Sequence, residues 1–154
     1  MTDFVHLHVH TEYSLLDGMA KVEDLMDHMQ KNGIDTCAVT DHGNMYASLY
    51  FAEECKKRGF KYIIGCELYV TDDMYDHRYG TKTEHIVLLA KNKTGYKNIV
   101  KLDSMSYIDG FYGKPRTDYR SFSAGGQAGT AAADTNRART EYSDGSHQRR
   151  ALYQ

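Results

Sequence analysis

The 154-residue sequence predicts an α/β fold in which parallel strands are joined by helical crossovers. Short apolar runs alternate along the chain with segments whose apolar residues recur at helical spacing, which is the pattern of this fold class. Histidines and acidic residues also recur near the ends of the apolar runs. Active sites of α/β barrels lie at the carboxyl ends of the strands, so we expect these polar side chains to share one site.

Size and charge limit the possible function classes. The chain is long enough for one modest domain with its own core. Its formal net charge of −2 is not the strongly basic character of a nucleic-acid-binding domain, so any DNA contact must be local. The sequence does not open with a basic region and an apolar run, and no apolar stretch has the length of a membrane span. We therefore expect a cytoplasmic protein without a membrane partner.

The three cysteines, Cys37, Cys55 and Cys66, form no CxxC pair. Two of them lie in apolar strand-like runs, where a buried reduced thiol is the common role. Their strand positions favour packing over a thiolate metal site. This cysteine usage is typical of a reducing compartment.

The first predicted strand carries three histidines at alternate positions, His6, His8 and His10. Alternation in an extended strand places the three imidazoles on one face, with Leu7 and Val9 on the other. Two imidazoles that are two residues apart can share one ion, and imidazole suits zinc, iron, nickel and manganese. A hydrogen-bonded strand edge without a metal is the alternative for this segment when it is taken alone.

The next two elements are a helix over residues 21–32 and a strand over residues 34–40. The helix has its apolar residues at helical spacing and is followed by a glycine. The strand leads directly into a turn that contains Asp41 and His42. Asp41 and Asn44 beside this histidine either orient a ligand or bind phosphate, or they are ordinary turn residues.

A second helix over residues 44–58 leads to a third strand over residues 60–70, which contains Glu67. The neighbours of this glutamate in the strand are almost all apolar or aromatic. Burial of an unpaired carboxylate costs several kcal/mol or shifts its pKa until it is neutral. Glu67 is therefore either salt-bridged or bound to a metal.

A polar excursion over residues 71–84 precedes a fourth strand over residues 85–90 and a third helix over residues 94–106. His85 opens the fourth strand, whereas the other candidate ligands lie late in their strands or just after them. Either this strand is shorter than predicted, or His85 reaches the site from another direction.

Five segments carry a resemblance to a known family. They read FVHLHVHTEYSLLDG at residues 4–18, AVTDHGNM at 38–45, IIGCELYV at 63–70, HIVLLAKNKTGYKN from His85 and GFYGKPRTD from Gly110. Together they resemble the N-terminal part of the polymerase and histidinol phosphatase (PHP) domain, in the form found in bacterial DNA polymerase III alpha subunits. The resemblance implies an incomplete, distorted (βα)7-type barrel of which about the first four βα units are present.

The resemblance also implies a metal centre of up to three divalent ions, namely zinc, manganese or iron. The motif positions of the family correspond here to His8, His10, Asp17, His42, Glu67 and His85. The family commonly has aspartate at the position of His6, so His6 is left out of the ligand set. The implied chemistry is metal-assisted phosphoester hydrolysis, as 3′–5′ exonuclease proofreading or pyrophosphate hydrolysis. No catalytic residue beyond the metal ligands is assigned.

The resemblance implies that DNA and other replisome subunits are partners through the parent polymerase. The palm, fingers and thumb regions of such a subunit are not in this sequence, so we expect no DNA synthesis by this chain alone. Two alternatives remain, a stand-alone phosphoesterase of the histidinol phosphatase type and a metal-free structural module of the polymerase. Metal analysis and activity on small phosphomonoesters discriminate between them.

Composition changes at residue 120, which divides the chain into residues 1–119, the PHP portion, and residues 120–154. The second part has one leucine and no isoleucine, valine or methionine, and it contains five arginines but no lysine. Such a composition favours disorder, and we do not expect His147 to be a ligand. Either residues 120–154 are read out of frame or come from a junction, or they form a natural flexible linker.

Overall fold

A computed structural model describes residues 4–78, 81–118 and 121, together with the backbone of residues 151–153. It confirms the α/β fold class. The elements are α1 (Val22–Lys31), β1 (Thr36–Val39), α2 (Ser48–Arg58), β2 (Lys61–Thr71), β3 (Glu84–Leu89), α3 (Lys93–Ile108), β4 (Thr117–Asp118) and β5 (Ala151–Tyr153).

The histidine-rich segment before α1 is extended, but it is not a regular strand as predicted. It runs parallel to β1 through a single bridge between His6 and Cys37. Leu7 packs against the cluster that contains Val87, whereas Val9 packs against the helices. The prediction that Leu7 and Val9 share one face was therefore wrong, because a segment held by isolated bonds need not keep the alternation of a continuous ladder.

The sheet has the order β1-β2-β3-β5, and β4 pairs with the end of β2. β1 and β2 are parallel, as predicted, but β2 and β3 are antiparallel. The prediction of parallel strands was wrong for this pair, because the described residues between β2 and β3 form no crossover helix and the chain turns back. The start of β3 consequently lies beside the end of β2, where Tyr69 pairs with His85. This pairing explains why a candidate ligand opens a strand.

The three helices pack on one face of the sheet. Helices α1 and α2 bury Met26 and Phe51 against β1, and α3 buries Ile99 against β2 and β3. Side chains alternate along β2, so that Cys66 and Leu68 face α3 while Glu67 and Tyr69 face away from the helices. The two clusters that the helices cover therefore lie on one side of β2, and Glu67 lies on the other side with a smaller buried cluster of Ala38, Val87 and Leu89.

All three cysteines are free and buried, as was predicted for Cys37 and Cys66. No helix among the described residues has the length and apolarity that crossing a membrane requires. The proposed division at residue 120 and the exclusion of His147 concern residues that lie almost entirely outside the described part of the chain. Strand β5, which the sequence did not predict, pairs in parallel with β3.

Candidate metal centre

Glu67 is the centre of the candidate site. Its side chain is 1% exposed, and four imidazoles surround it. One carboxylate oxygen, Oε2, contacts Nε2 of His8 and lies 3.3 Å from Nε2 of His10. The other oxygen, Oε1, contacts Nδ1 of His85 and lies 3.5 Å from Nδ1 of His42. The buried carboxylate therefore has partners on both oxygens.

The six predicted residues lie together in three overlapping groups of three. Within each group the potential ligand atoms lie within 4.8 Å of one another. The groups are His8, His10 and Glu67; His10, Asp17 and His42; and His42, Glu67 and His85. Each group shares one residue with each of the other two. The structure thus brings together residues that are far apart in the chain, and their role as metal ligands remains a prediction.

Two of the distances between potential ligand atoms in the first group fit a divalent ion. Ligand atoms bound at roughly 2.0–2.1 Å in a tetrahedral arrangement are about 3.3 Å apart. Nε2 of His8 lies 3.1 Å from Nε2 of His10, which lies 3.3 Å from the Glu67 carboxylate. Nδ1 of His42 is buried and has no hydrogen-bond partner among the described residues. A bound ion would satisfy this nitrogen, and the set of imidazoles and carboxylates suits zinc, manganese and iron.

The electrostatics of the cluster favour the metal-binding forms of Glu67 and His42, but they favour the protonated form of His10. Burial by itself would raise the pKa of Glu67, but hydrogen bonds from His10 and His85 and the charges of His42 and His8 hold it well below its usual range. Burial lowers the pKa of His42 and so favours the neutral imidazole. The hydrogen bond with Glu67 raises the pKa of His10. A metal ion would compete with a proton at that ring.

A second carboxylate, Asp41, supports the cluster. Asp41 is 2% exposed and accepts hydrogen bonds from the Thr11 amide at 2.6 Å, the Thr11 hydroxyl at 2.8 Å and the Ser14 hydroxyl at 2.7 Å. The Ser14 hydroxyl in turn accepts a bond from the His42 amide at 3.1 Å. These bonds join the end of β1 to the loop that carries Asp17.

Asn44 has a role in the turn after β1. Its amide nitrogen donates to the backbone carbonyls of Tyr13 and His42, each at 3.0 Å. The amide oxygen accepts from the Tyr46 amide at 3.1 Å. Of the two interpretations left open for Asn44, these contacts favour a turn residue over a phosphate ligand.

Sequence reasoning missed Tyr69, Thr11 and Ser14. The Tyr69 ring is stacked 6.0 Å from the His42 ring and meets the His85 ring edge-on at 4.7 Å. Its position two residues after Glu67 on the same strand face is a signal that could have identified it. Thr11 and Ser14 give no such signal, because their contacts depend on the conformation of the loop.

His6 lies apart from the three groups. Its ring meets the Phe4 ring edge-on at 4.8 Å, and its backbone carbonyl accepts a bond from the Ala38 amide at 2.8 Å. These contacts agree with leaving His6 out of the predicted ligand set.

Comparison with known proteins identifies relatives of this chain. The PHP domain matches residues 6–148. DNA polymerase III subunit alpha from Treponema pallidum is 48% identical over 119 residues, and the match covers 75% of this chain and 10% of that protein. The corresponding subunit from Borreliella burgdorferi is 46% identical over 124 residues, with the same two coverages. A solved amidohydrolase from Chromobacterium violaceum has 22% identity and a TM-score of 0.45, covering 66% of this chain and 34% of its own. This chain spans about a tenth of the length of the two polymerase subunits.

Proposed function

The chain belongs to the PHP domain family, and from this premise we propose that it is the N-terminal PHP region of a DNA polymerase III alpha subunit with a metal-dependent phosphoesterase site. The similarity to two such subunits supports the parent protein. The main support for the proposed activity is the buried Glu67 carboxylate, which has an imidazole from each of four histidines around it. The proposal includes DNA and replisome subunits as partners through the polymerase, in the cytoplasm.

The residues of the cluster have distinct roles in this proposal. His8, His10 and Glu67 would hold one ion, and the two other groups of three would hold up to two more. Bound divalent ions supply an acidified water, polarise the phosphoryl group and stabilise the leaving oxygen. Glu67 remains ionised and joins two groups through its separate oxygens. His42 presents a neutral ring to both groups that contain it.

One side of the cluster is exposed, so a substrate can approach it from solvent. Asp17 is 58% exposed at its side chain and His85 is 41% exposed, whereas Glu67 is buried behind them. We propose that the phosphoester of a DNA 3′ end, or pyrophosphate, approaches from this side. The reaction would then be 3′–5′ exonuclease proofreading or pyrophosphate hydrolysis.

Metal analysis of the purified chain tests the first part of the proposal. We expect bound zinc, manganese or iron in the wild type, and loss of most of it in Glu67→Gln and His8→Ala, because each removes a ligand from the cluster. His28→Ala is the matched control, since His28 lies on α1 outside the three groups. Wild-type protein without bound metal would contradict the proposal and favour the metal-free structural module.

Turnover by the metal-loaded chain tests the second part. We expect hydrolysis of a single-stranded oligonucleotide from its 3′ end, or of pyrophosphate, that disappears in Glu67→Gln. Hydrolysis confined to small phosphomonoesters would favour the stand-alone phosphatase. A metal-loaded chain that hydrolyses none of the three substrates would contradict the phosphoesterase proposal.

A further inference from the structure

The turn over residues 110–116 is held rigidly beside the candidate metal centre. Arg116 is 2% exposed, and its guanidinium donates to the carbonyls of Gly110 at 3.3 Å, Asp76 at 3.0 Å and Met74 at 3.4 Å. At the other side of the turn, Pro115 packs closely on Gly43. A β-carbon added to Gly43 would lie 2.9 Å from Cγ of Pro115. The turn is thereby fixed next to the residue that follows His42.

Lys114 lies at the edge of the cluster because of this turn. Its ammonium nitrogen is 4.8 Å from the centroid of the Tyr69 ring. The same ring contacts the rings of His42 and His85. A single aromatic side chain therefore connects the lysine ammonium to two of the predicted metal ligands.

The Lys114 ammonium is available for an anion. Among the described residues Lys57 and Lys82 form ion pairs with carboxylates, whereas no carboxylate pairs with Lys114. A cation held by an aromatic face is held less strongly than one in a charge-assisted hydrogen bond. The flexible lysine stem can therefore exchange the ring of Tyr69 for a phosphate oxygen.

We propose that Lys114 is the phosphate-binding side chain of this site and contacts a non-bridging oxygen of a phosphoester held at the cluster. This inference rests on the proposed function and deepens it by assigning a residue outside the predicted ligand set. The substrate class it implies is a phosphate group with an exposed charged oxygen. Lysine binds phosphate as a compact point charge, so it suits a group that presents a single oxygen.

Calorimetric titration of inorganic phosphate into the full chain tests this assignment, with and without manganese. We expect Lys114→Gln to weaken phosphate binding about tenfold, as removal of a charge-assisted hydrogen bond does. Lys114→Arg keeps the charge, and we expect it to bind within about threefold of the wild type. Lys97→Gln is the matched control, because it removes the charge of an exposed lysine on α3.

The same preparations separate this inference from the proposed function. Metal content reports whether the cluster binds ions, and circular dichroism reports whether each variant is folded. Lys114→Gln with wild-type phosphate affinity, or wild-type protein that does not bind phosphate, would overturn the inference even if metal is bound. If the wild type binds no metal, the proposed metal chemistry fails. Phosphate affinity of the metal-free chain that is still lost in Lys114→Gln would then support the phosphate site alone. A merely structural role predicts equal losses in Lys114→Gln and Lys114→Arg, which would also overturn the inference.

Discussion

The Asp41 carboxylate connects the loop that carries Asp17 to the end of β1. Both of its oxygens accept hydrogen bonds from residues of that loop, and the carboxylate is buried. An asparagine at position 41 would point its NH₂ group at a Thr11 or Ser14 group that donates to the carboxylate, so two donors would face each other. A buried donor without a partner costs about 1–3 kcal/mol.

We expect Asp41→Asn to lower the free energy of unfolding by about 2–3 kcal/mol, since one or more of its bonds is lost in a buried position. Ser14→Ala removes the hydroxyl that donates to Asp41 and accepts from the His42 amide, and we expect it to cost about 1–2 kcal/mol. Urea denaturation measures both effects. An Asp41→Asn variant as stable as the wild type would show that this network does not hold the loop.

Asp103 on α3 differs from Asp41 because one of its carboxylate oxygens is unsatisfied. Its Oδ1 is buried without a hydrogen-bond partner among the described residues. Burial raises the pKa of Asp103 from the usual 3.8 to about 6. The folded state therefore binds this proton more tightly than the unfolded state does. This contribution to stability is fully present below about pH 4 and is lost as the pH rises through about 6.

We expect Asp103→Asn to raise the free energy of unfolding at pH 8 by about 1–2 kcal/mol, a value reduced from the full pKa shift to allow for solvent screening. Near pH 4 the variant and the wild type should be similarly stable, because Asp103 is then protonated. Denaturation at the two pH values measures the difference. Exposed Asp72→Asn is the control. Equal stabilisation by the control, or none at pH 8, would contradict the assignment to Asp103.

Much of the candidate site could be predicted at the residue scale, because metal-ligand side chains are few and distinctive. Glu67 was expected to have a partner, since its strand is otherwise apolar, and the structure gives it four imidazoles. Thr11, Ser14 and Tyr69 were not predicted. Serine and threonine are common in turns for reasons unrelated to any site, so their sequence positions alone do not reveal the contact with Asp41.

At the scale of the elements, β2 requires a glycine where it packs most tightly. A β-carbon at Gly65 would lie 2.4 Å from the Leu88 carbonyl oxygen, 2.8 Å from Leu89 and 2.9 Å from Thr40. The carbonyl belongs to the β3 backbone, so the two strands would have to separate to relieve the contact. Tight packing between β1, β2 and β3 thus depends on the absence of a side chain at this position.

We expect Gly65→Ala to lower the free energy of unfolding by about 3 kcal/mol, the upper part of the range for overpacking. Gly33→Ala is the matched control, because Gly33 has open space around it and a φ of +66°. There the added side chain should lower the free energy of unfolding by only about 1 kcal/mol, through backbone strain. Thermal or urea denaturation compares the two variants. A Gly65→Ala variant that is no less stable than Gly33→Ala would contradict the observed strand packing.

The helices were predicted within a few residues because their apolar periodicity is clear. The predicted helix over residues 21–32 corresponds to α1 at Val22–Lys31, and the one over residues 94–106 corresponds to α3 at Lys93–Ile108. Strand direction was not predictable for β3. Residues 71–84 contain no helical periodicity, but this absence alone does not predict that β3 runs antiparallel to β2. His85 at the start of its strand was the one sign of this reversal.

At the scale of the whole molecule, the buried thiols report on the integrity of the core. Burial raises the pKa of Cys37 to about 12 and that of Cys55 to about 11, and it raises the pKa of Cys66 as well. Thiolate is the reactive form, so burial protects these groups both sterically and electronically. The three cysteines belong to the clusters that join the helices to the sheet.

We expect a thiol reagent at neutral pH to label none of the three cysteines in the folded chain and all three after denaturation. Time-resolved labelling followed by mass spectrometry measures both states. Denatured wild-type protein is the control for reagent access. Rapid labelling of one cysteine under native conditions would show that the helices and the sheet do not pack around that cysteine as described.

β2 pairs with β1, β3 and β4 and also carries Glu67, so the strand that organises the sheet also holds the centre of the candidate site. It pairs with β1 at residues 61–64, with β3 at residues 65–70 and with β4 at residues 70–71, so exposure of its central amides requires these strands to separate. Amide hydrogen exchange should therefore be slowest in this strand and should proceed mainly through global opening. The ligand cluster and the tertiary fold are then expected to be lost in the same cooperative event.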